Sequence, residues 1–347
     1  MLRDRIEWRW IDAFRNVFTR CSVSATESCV ILSETQSRAL NPHLAELALE
    51  SLGALPAHVT LPTPAQTSPV PVRSTGACRA LRQHPAVLGA LDAADFIVDC
   101  TVEGLMHAPE LPRILEAGAR VLTVCNEHPD TLERLLPDDS IKARTQQAAR
   151  RLRGAGTLHV SSAAGTDLSV SMRDAATVGI WGYTDKPGTL AHWPGGLVVS
   201  FPREHSVNGT LVLDRGDLNL TFKRYLEAPV SLRIEDDHVV EIAGDSTDAE
   251  LHRRYFAAWG DRNAYAVSHV GWGLNPAARY EAMTLYDKGD TNGTELRAFA
   301  GNFLFSTGAN EFAERYTEGH FDIPVRGCTI TLDGETVVRD GTLVDAA

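Results

Sequence analysis

Ala94-Asp-Phe-Ile-Val-Asp-Cys100 sets the architecture of the first half of this chain. It reads as a short apolar strand, and Thr101-Val-Glu-Gly104 follows it directly. Working outward, three runs of the same kind surround it: Cys29-Val-Ile-Leu-Ser33, His58-Val-Thr-Leu61 and Val121-Leu-Thr-Val-Cys125. Helical segments fit between and after them. Asn41-Pro42 opens one that Gly53 ends, and two more are expected over 110–117 and 129–136. Strand alternating with helix predicts an α/β layer built on a mostly parallel sheet. The stretch from Pro62 to Ser74, rich in Pro, Thr and Ser, is expected to be a loop.

The pattern changes beyond about residue 140. A helix over 141–153 ends at Gly154-Ala-Gly156. After it come seven apolar runs with strand character, at 157–161, 167–172, 197–201, 209–214, 218–222, 230–234 and 238–242, many of them separated by Gly and Asp turns. One helix, over 246–259, interrupts them. The expected organisation is an α/β domain over 1–154 and a β-rich α+β domain over 155–347. At the N-terminus, residues 4–20 place Ile6, Trp10, Phe14, Val17 and Phe18 near one face of an amphipathic helix. Such a helix suits docking or a subunit contact, and it points to a homo-oligomer.

With 347 residues, 44% hydrophobic and 22% charged, the chain has the composition of an ordinary globular protein with ample core. Its net charge of -12 argues against nucleic acid or an anionic membrane as the main partner. The six cysteines form no C-x-x-C pair, which suggests a reducing compartment without structural disulfides. The N-terminus lacks the charged-then-apolar order of a signal peptide, and no uncharged apolar run approaches the length of a membrane span. A cytoplasmic location is expected. No G-x-G-x-x-G, G-x-S-x-G or H-E-x-x-H motif occurs, so a nucleotide cofactor, an α/β-hydrolase elbow and a zincin site are not expected.

Chemistry-bearing residues gather near the C-terminus: His269 in Ser-His-Val-Gly-Trp-Gly-Leu-Asn-Pro, and His320 and Asp322 in Gly-His-Phe-Asp-Ile-Pro. Two imidazoles and a carboxylate make up the facial triad of non-haem Fe(II) sites, which leaves positions open for substrate and O2. In an extended segment, His-x-Asp puts both side chains on one face. A solvated turn would show the same spacing. His107 closely follows the strand ending at Cys100, and ligands of open α/β sheets gather beyond the carboxyl ends of strands. The stretch from Trp181 to Gly196 mixes aromatics, turn formers, Asp185 and His192, a composition found in site-lining loops as well as in ordinary β-connections. There His192 could orient or deprotonate a substrate hydroxyl, and Trp193 could stack on a flat ring.

The second domain resembles the thermophilic aminopeptidase family of two-metal peptidases. His269-Val-Gly-Trp-Gly-Leu-Asn-Pro276 stands in the place of that family's Glu-x-Gly-x-Gly-x-Asn segment, and Gly319-His-Phe-Asp322 resembles its closing His-x-Asp pair. The departures fall on metal ligands. Leu197 stands where a glutamate is expected after Gly195-Gly196, His269 replaces a second glutamate, and no histidine occurs in Gly301–Gly308. A leucine cannot bind a metal, so a dinuclear hydrolase is not expected to assemble. The remaining pattern is similar to that of the peptidase-like 2,5-dihydroxypyridine 5,6-dioxygenase family of nicotinate and nicotine degradation. That resemblance covers most of the chain, including Ala191-His-Trp-Pro194 and Thr101–His107. It implies an aminopeptidase-like fold with Fe(II) on His269, His320 and Asp322. It also implies His107 as a pocket base, a site that includes His192 and Ser306, and ring opening of a small hydroxylated N-heterocycle with O2. The alternative is a mononuclear metallohydrolase acting on an amide or peptide.

Overall fold

A computed structural model describes residues 5–65 and 79–344. The loop expected over 62–74 therefore lies partly outside the described residues, and Cys78 wholly so. The fold is mixed α/β with several sheets. The first sheet has five strands in the order Leu55–Leu61, Ser28–Glu34, Phe96–Cys100, Arg120–Val124 and Leu190–Trp193, all parallel. Phe96–Cys100 is central and buried along its whole length, as befits a strand of a parallel sheet with helices on both faces. Its last strand, Leu190–Trp193, comes from the stretch that composition alone suggested was a loop, and it returns to this sheet from beyond residue 154.

The remaining described strands form two antiparallel layers and a short antiparallel pair, Leu218–Asn219 with Arg224–Tyr225. One is an eight-stranded sheet running from His238–Ala243 to Thr342–Leu343. The other has five strands, in the order Arg315–Val325, Phe303–Asn310, Val267–Gly273, Leu197–Phe201 and Ala176–Ile180. Their facing side chains share one core, with Val160, Leu168 and Leu232 from the first and Val270, Phe305 and Phe321 from the second. Close strand approach explains the glycine of Gly-Trp-Gly: a Cβ on Gly271 would lie 1.9 Å from the Val198 carbonyl oxygen.

The N-terminal helix, Trp8–Arg20, is used within the chain. Phe14, Val17 and Phe18 are fully buried in the core beneath the parallel sheet. Phe14 meets Trp193 edge-to-face at 4.9 Å, and Phe18 meets Phe96 at 5.5 Å. The aromatic face that suggested a partner surface is thus covered intramolecularly, and it no longer argues for an oligomer. Phe14→Ala is expected to cost about 3–5 kcal/mol through lost transfer energy and the cavity left behind. A chemical-denaturation midpoint would register the drop.

Candidate metal centre and substrate cavity

The five-stranded antiparallel sheet assembles the centre. His269 lies on Val267–Gly273, His320 and Asp322 lie on Arg315–Val325, and Phe303–Asn310 runs between the two. The pairing of Val267–Gly273 with its neighbour shifts register between Val267 and Val270, so His269 sits in a bulge. Bulges re-aim side chains in this way. Across the other pairing, Ser306 opposes Asp322 and Gly308 opposes His320. Gly308 has φ +119°, and a Cβ there would lie 2.0 Å from the Gly319 carbonyl oxygen, so only glycine fits opposite the histidine.

One ligand atom from each of His269, His320 and Asp322 lies within 4.8 Å of the others, and all three residues are buried. Both Nε2 atoms face the same carboxylate oxygen, Asp322 Oδ1, at 3.4 Å from His269 and 3.2 Å from His320. Burial pushes the His269 imidazole down to about 3, so it is neutral and has a lone pair to give. Burial alone would raise the Asp322 carboxyl, but His320 and Arg297 more than offset it and hold the group well below the usual range. Nδ1 of both histidines is buried without a hydrogen-bond partner among the described residues. Two imidazoles and an ionised carboxylate converging in a buried pocket, with imidazole nitrogens unsatisfied, fit a single divalent transition metal.

Ser306 is fully buried, and its hydroxyl bonds to Asp322 Oδ1. It lies behind the carboxylate and outside the cavity lining. Arg297 donates from Nε to Asp322 Oδ2 at 2.5 Å. The two carboxylate oxygens are thus divided, one toward the imidazoles and one toward the guanidinium. Arg297 was not legible in the sequence. It sits on a five-residue helix, Thr294–Ala298, without any motif to mark it. The parallel-sheet half fastens that segment. Glu127 accepts the backbone N–H groups of Asn292, Gly293 and Thr294 at 2.8, 2.8 and 2.9 Å, and Arg134 and Arg38 pair with Glu295 and Asp290.

His107 arrives from the other side, on the loop after Phe96–Cys100. Buried Asp99 anchors that loop by accepting from Thr101 N–H at 3.0 Å and Leu105 N–H at 2.7 Å, with Thr123 Oγ1 at 2.8 Å. The His107 ring stands 5.1 Å from the His320 ring, and its Nδ1 is 3.3 Å from Glu311 Oε1. Between the two halves lies a cavity of about 140 Å³, counted as the space open to a water centre. His107, His192, His269, His320, Asp322 and Arg297 all line it, as does Leu197. Burial pushes His192 down to about 4, so it too is neutral. Trp193 is placed differently from the stacking role its sequence context suggested. It is fully buried, and its indole N–H donates to the Leu135 carbonyl at 3.1 Å.

A buried two-histidine, one-aspartate cluster at the edge of a cavity between the two halves defines a candidate mononuclear metalloenzyme. Its fold is shared with the aminopeptidase AmpT from Thermus thermophilus (TM-score 0.65, 15% identity, covering 97% of this chain and 99% of that one). A sequence profile of the 2,5-dihydroxypyridine 5,6-dioxygenase family matches residues 9–345, and the chain belongs to that family. It is 39% identical over 338 residues to the 2,5-dihydroxypyridine 5,6-dioxygenase of Pseudomonas putida, covering 95% of each chain. A solved structure of 2,5-dihydroxypyridine dioxygenase from the same species superposes with a TM-score of 0.91 at 36% identity, covering 97% of both chains.

Proposed function

We propose that this protein is a mononuclear non-haem Fe(II) dioxygenase that opens 2,5-dihydroxypyridine with O2 to give N-formylmaleamate. The observation that carries the reading is the single cluster of two histidines and one aspartate, with apolar Leu197 in the cavity wall, in a chain that matches this dioxygenase family along its length. His269, His320 and Asp322 hold the iron in this reading. Iron held there would supply the redox chemistry that activates O2 toward the ring.

The chain's own groups do the rest. Arg297 and Ser306 keep Asp322 ionised and oriented, as partners of a ligating carboxylate do. His107, with Nδ1 donating to Glu311, keeps a lone pair on Nε2 and takes the proton of a ring hydroxyl. His192, neutral in the wall, orients the ring. The apolar side chains of Ile180, Leu197, Val199 and Phe201 exclude water around it. A mononuclear metallohydrolase is not favoured by the family match.

We also keep the division into a unit over 1–154 and a unit over 155–347, with Leu190–Trp193 crossing back to the first sheet. A cytoplasmic location agrees with five described cysteines that are all buried and unbridged. No helix among the described residues is long and apolar enough to cross a membrane.

The test is direct. Protein loaded anaerobically with Fe(II) and mixed with 2,5-dihydroxypyridine is expected to consume one O2 per ring lost when air is admitted. Ring absorbance that persists with iron bound would reject the substrate.

A further inference from the structure

The cavity wall contains a polar atom that the roles above leave unused. Asn126 is two residues beyond the carboxyl end of the Arg120–Val124 strand, is 4% exposed and lines the cavity. Its Oδ1 accepts the backbone N–H of Arg38 at 2.8 Å. That bond decides which way the amide points, because an N–H needs an oxygen opposite it. The Nδ2 donor is therefore fixed on the remaining side, where it is buried and has no partner among the described residues. An orphaned buried donor is costly, and one in a cavity wall is satisfied when a ligand brings an acceptor.

We propose that Asn126 is a specificity-determining residue that donates from Nδ2 to an oxo group on the ring. The inference deepens the proposed function and depends on it. 2,5-Dihydroxypyridine in its pyridone tautomer carries a carbonyl beside the ring nitrogen, and a carbonyl oxygen accepts without offering a competing proton. A phenol-type ring without that oxygen leaves Nδ2 unsatisfied. A site built to hydrogen-bond one group discriminates strongly against analogues that lack it.

The test compares two rings, 2,5-dihydroxypyridine and 3-hydroxypyridine, which lacks the oxygen beside nitrogen. Each is titrated anaerobically, by ring absorbance, into Fe(II)-loaded wild type, Asn126→Ala and Asn126→Asp, with thermal melts and iron content alongside. Asn126→Ala is expected to weaken 2,5-dihydroxypyridine about tenfold and to leave 3-hydroxypyridine unchanged, raising KM more than it lowers kcat. Asn126→Asp keeps the acceptor for Arg38 and so separates the donor from the local fold. It turns a lone pair on the oxo group and should weaken that ring by on the order of a hundredfold. Equal losses for both rings, or an Asn126→Asp protein that holds iron and binds 2,5-dihydroxypyridine like wild type, would overturn the assignment. If wild type binds the ring but does not cleave it in air, the proposed function fails while the binding comparison still decides this one.

Discussion

Asp322→Asn is expected to empty the metal centre and to lower ring cleavage by on the order of a thousandfold or more. The carboxylate is the one anionic member of the proposed ligand set, and both His269 Nε2 and His320 Nε2 face its Oδ1. An amide oxygen is neutral and a much weaker ligand for a divalent cation. The asparagine is chosen over alanine for a reason visible in the structure. Arg297 is half-buried against Oδ2, and removing its acceptor altogether would leave that charge without its partner. With asparagine the guanidinium keeps an oxygen, so loss of iron is read apart from loss of fold. Iron content per chain and O2 uptake are the two measurements. A variant that retains full iron and wild-type turnover would remove Asp322 from the ligand set.

His107→Gln should lower turnover by about a hundredfold to ten-thousandfold with iron still bound. The residue stands beside the His269, His320 and Asp322 cluster, 5.1 Å ring to ring from His320, and belongs to a different layer of the fold. Glutamine keeps a hydrogen-bonding group near Glu311 but cannot take up a proton. If His107 is the base, the variant depends on hydroxyl groups that are already ionised, so its rate should climb as pH rises toward the hydroxyl's own ionisation. A His107→Gln rate that is merely scaled down, with the wild-type pH profile, would mean that the imidazole positions the ring and another group takes the proton.

The parallel layer was legible because each of its first four strands carries a short run rich in Val, Ile and Leu, punctuated by helical segments. Leu190–Trp193 escaped that reading: the strand is four residues long, contains His192 and ends in a Trp-Pro, and only its pairing with Arg120–Val124 makes it a strand. Trp193 and the N-terminal helix show the same limit from another side. Their apolar character was plain, yet whether it faces a ligand, a partner or the core depends on what packs against it, here Phe14 on Trp193.

At the centre, His320 and Asp322 were readable together because a two-residue spacing on a strand leaves little choice of face. The chain itself therefore determined the first four strands of the parallel layer and the placing of His320 and Asp322 on one face. His269 could be named beside them from its motif, but only the tertiary structure brings it to them, on a strand that reaches them across Phe303–Asn310. Tertiary structure likewise decided that Arg297 and Ser306 hold the carboxylate, that His107 faces the cluster across the cavity and that the Asn126 amide oxygen is taken by the Arg38 N–H. The reason is physical. Local spacing controls which side of an element a residue occupies, whereas a site is made of distances between elements, and those are set by sheet order, register and the long-range contacts that hold one layer against the next.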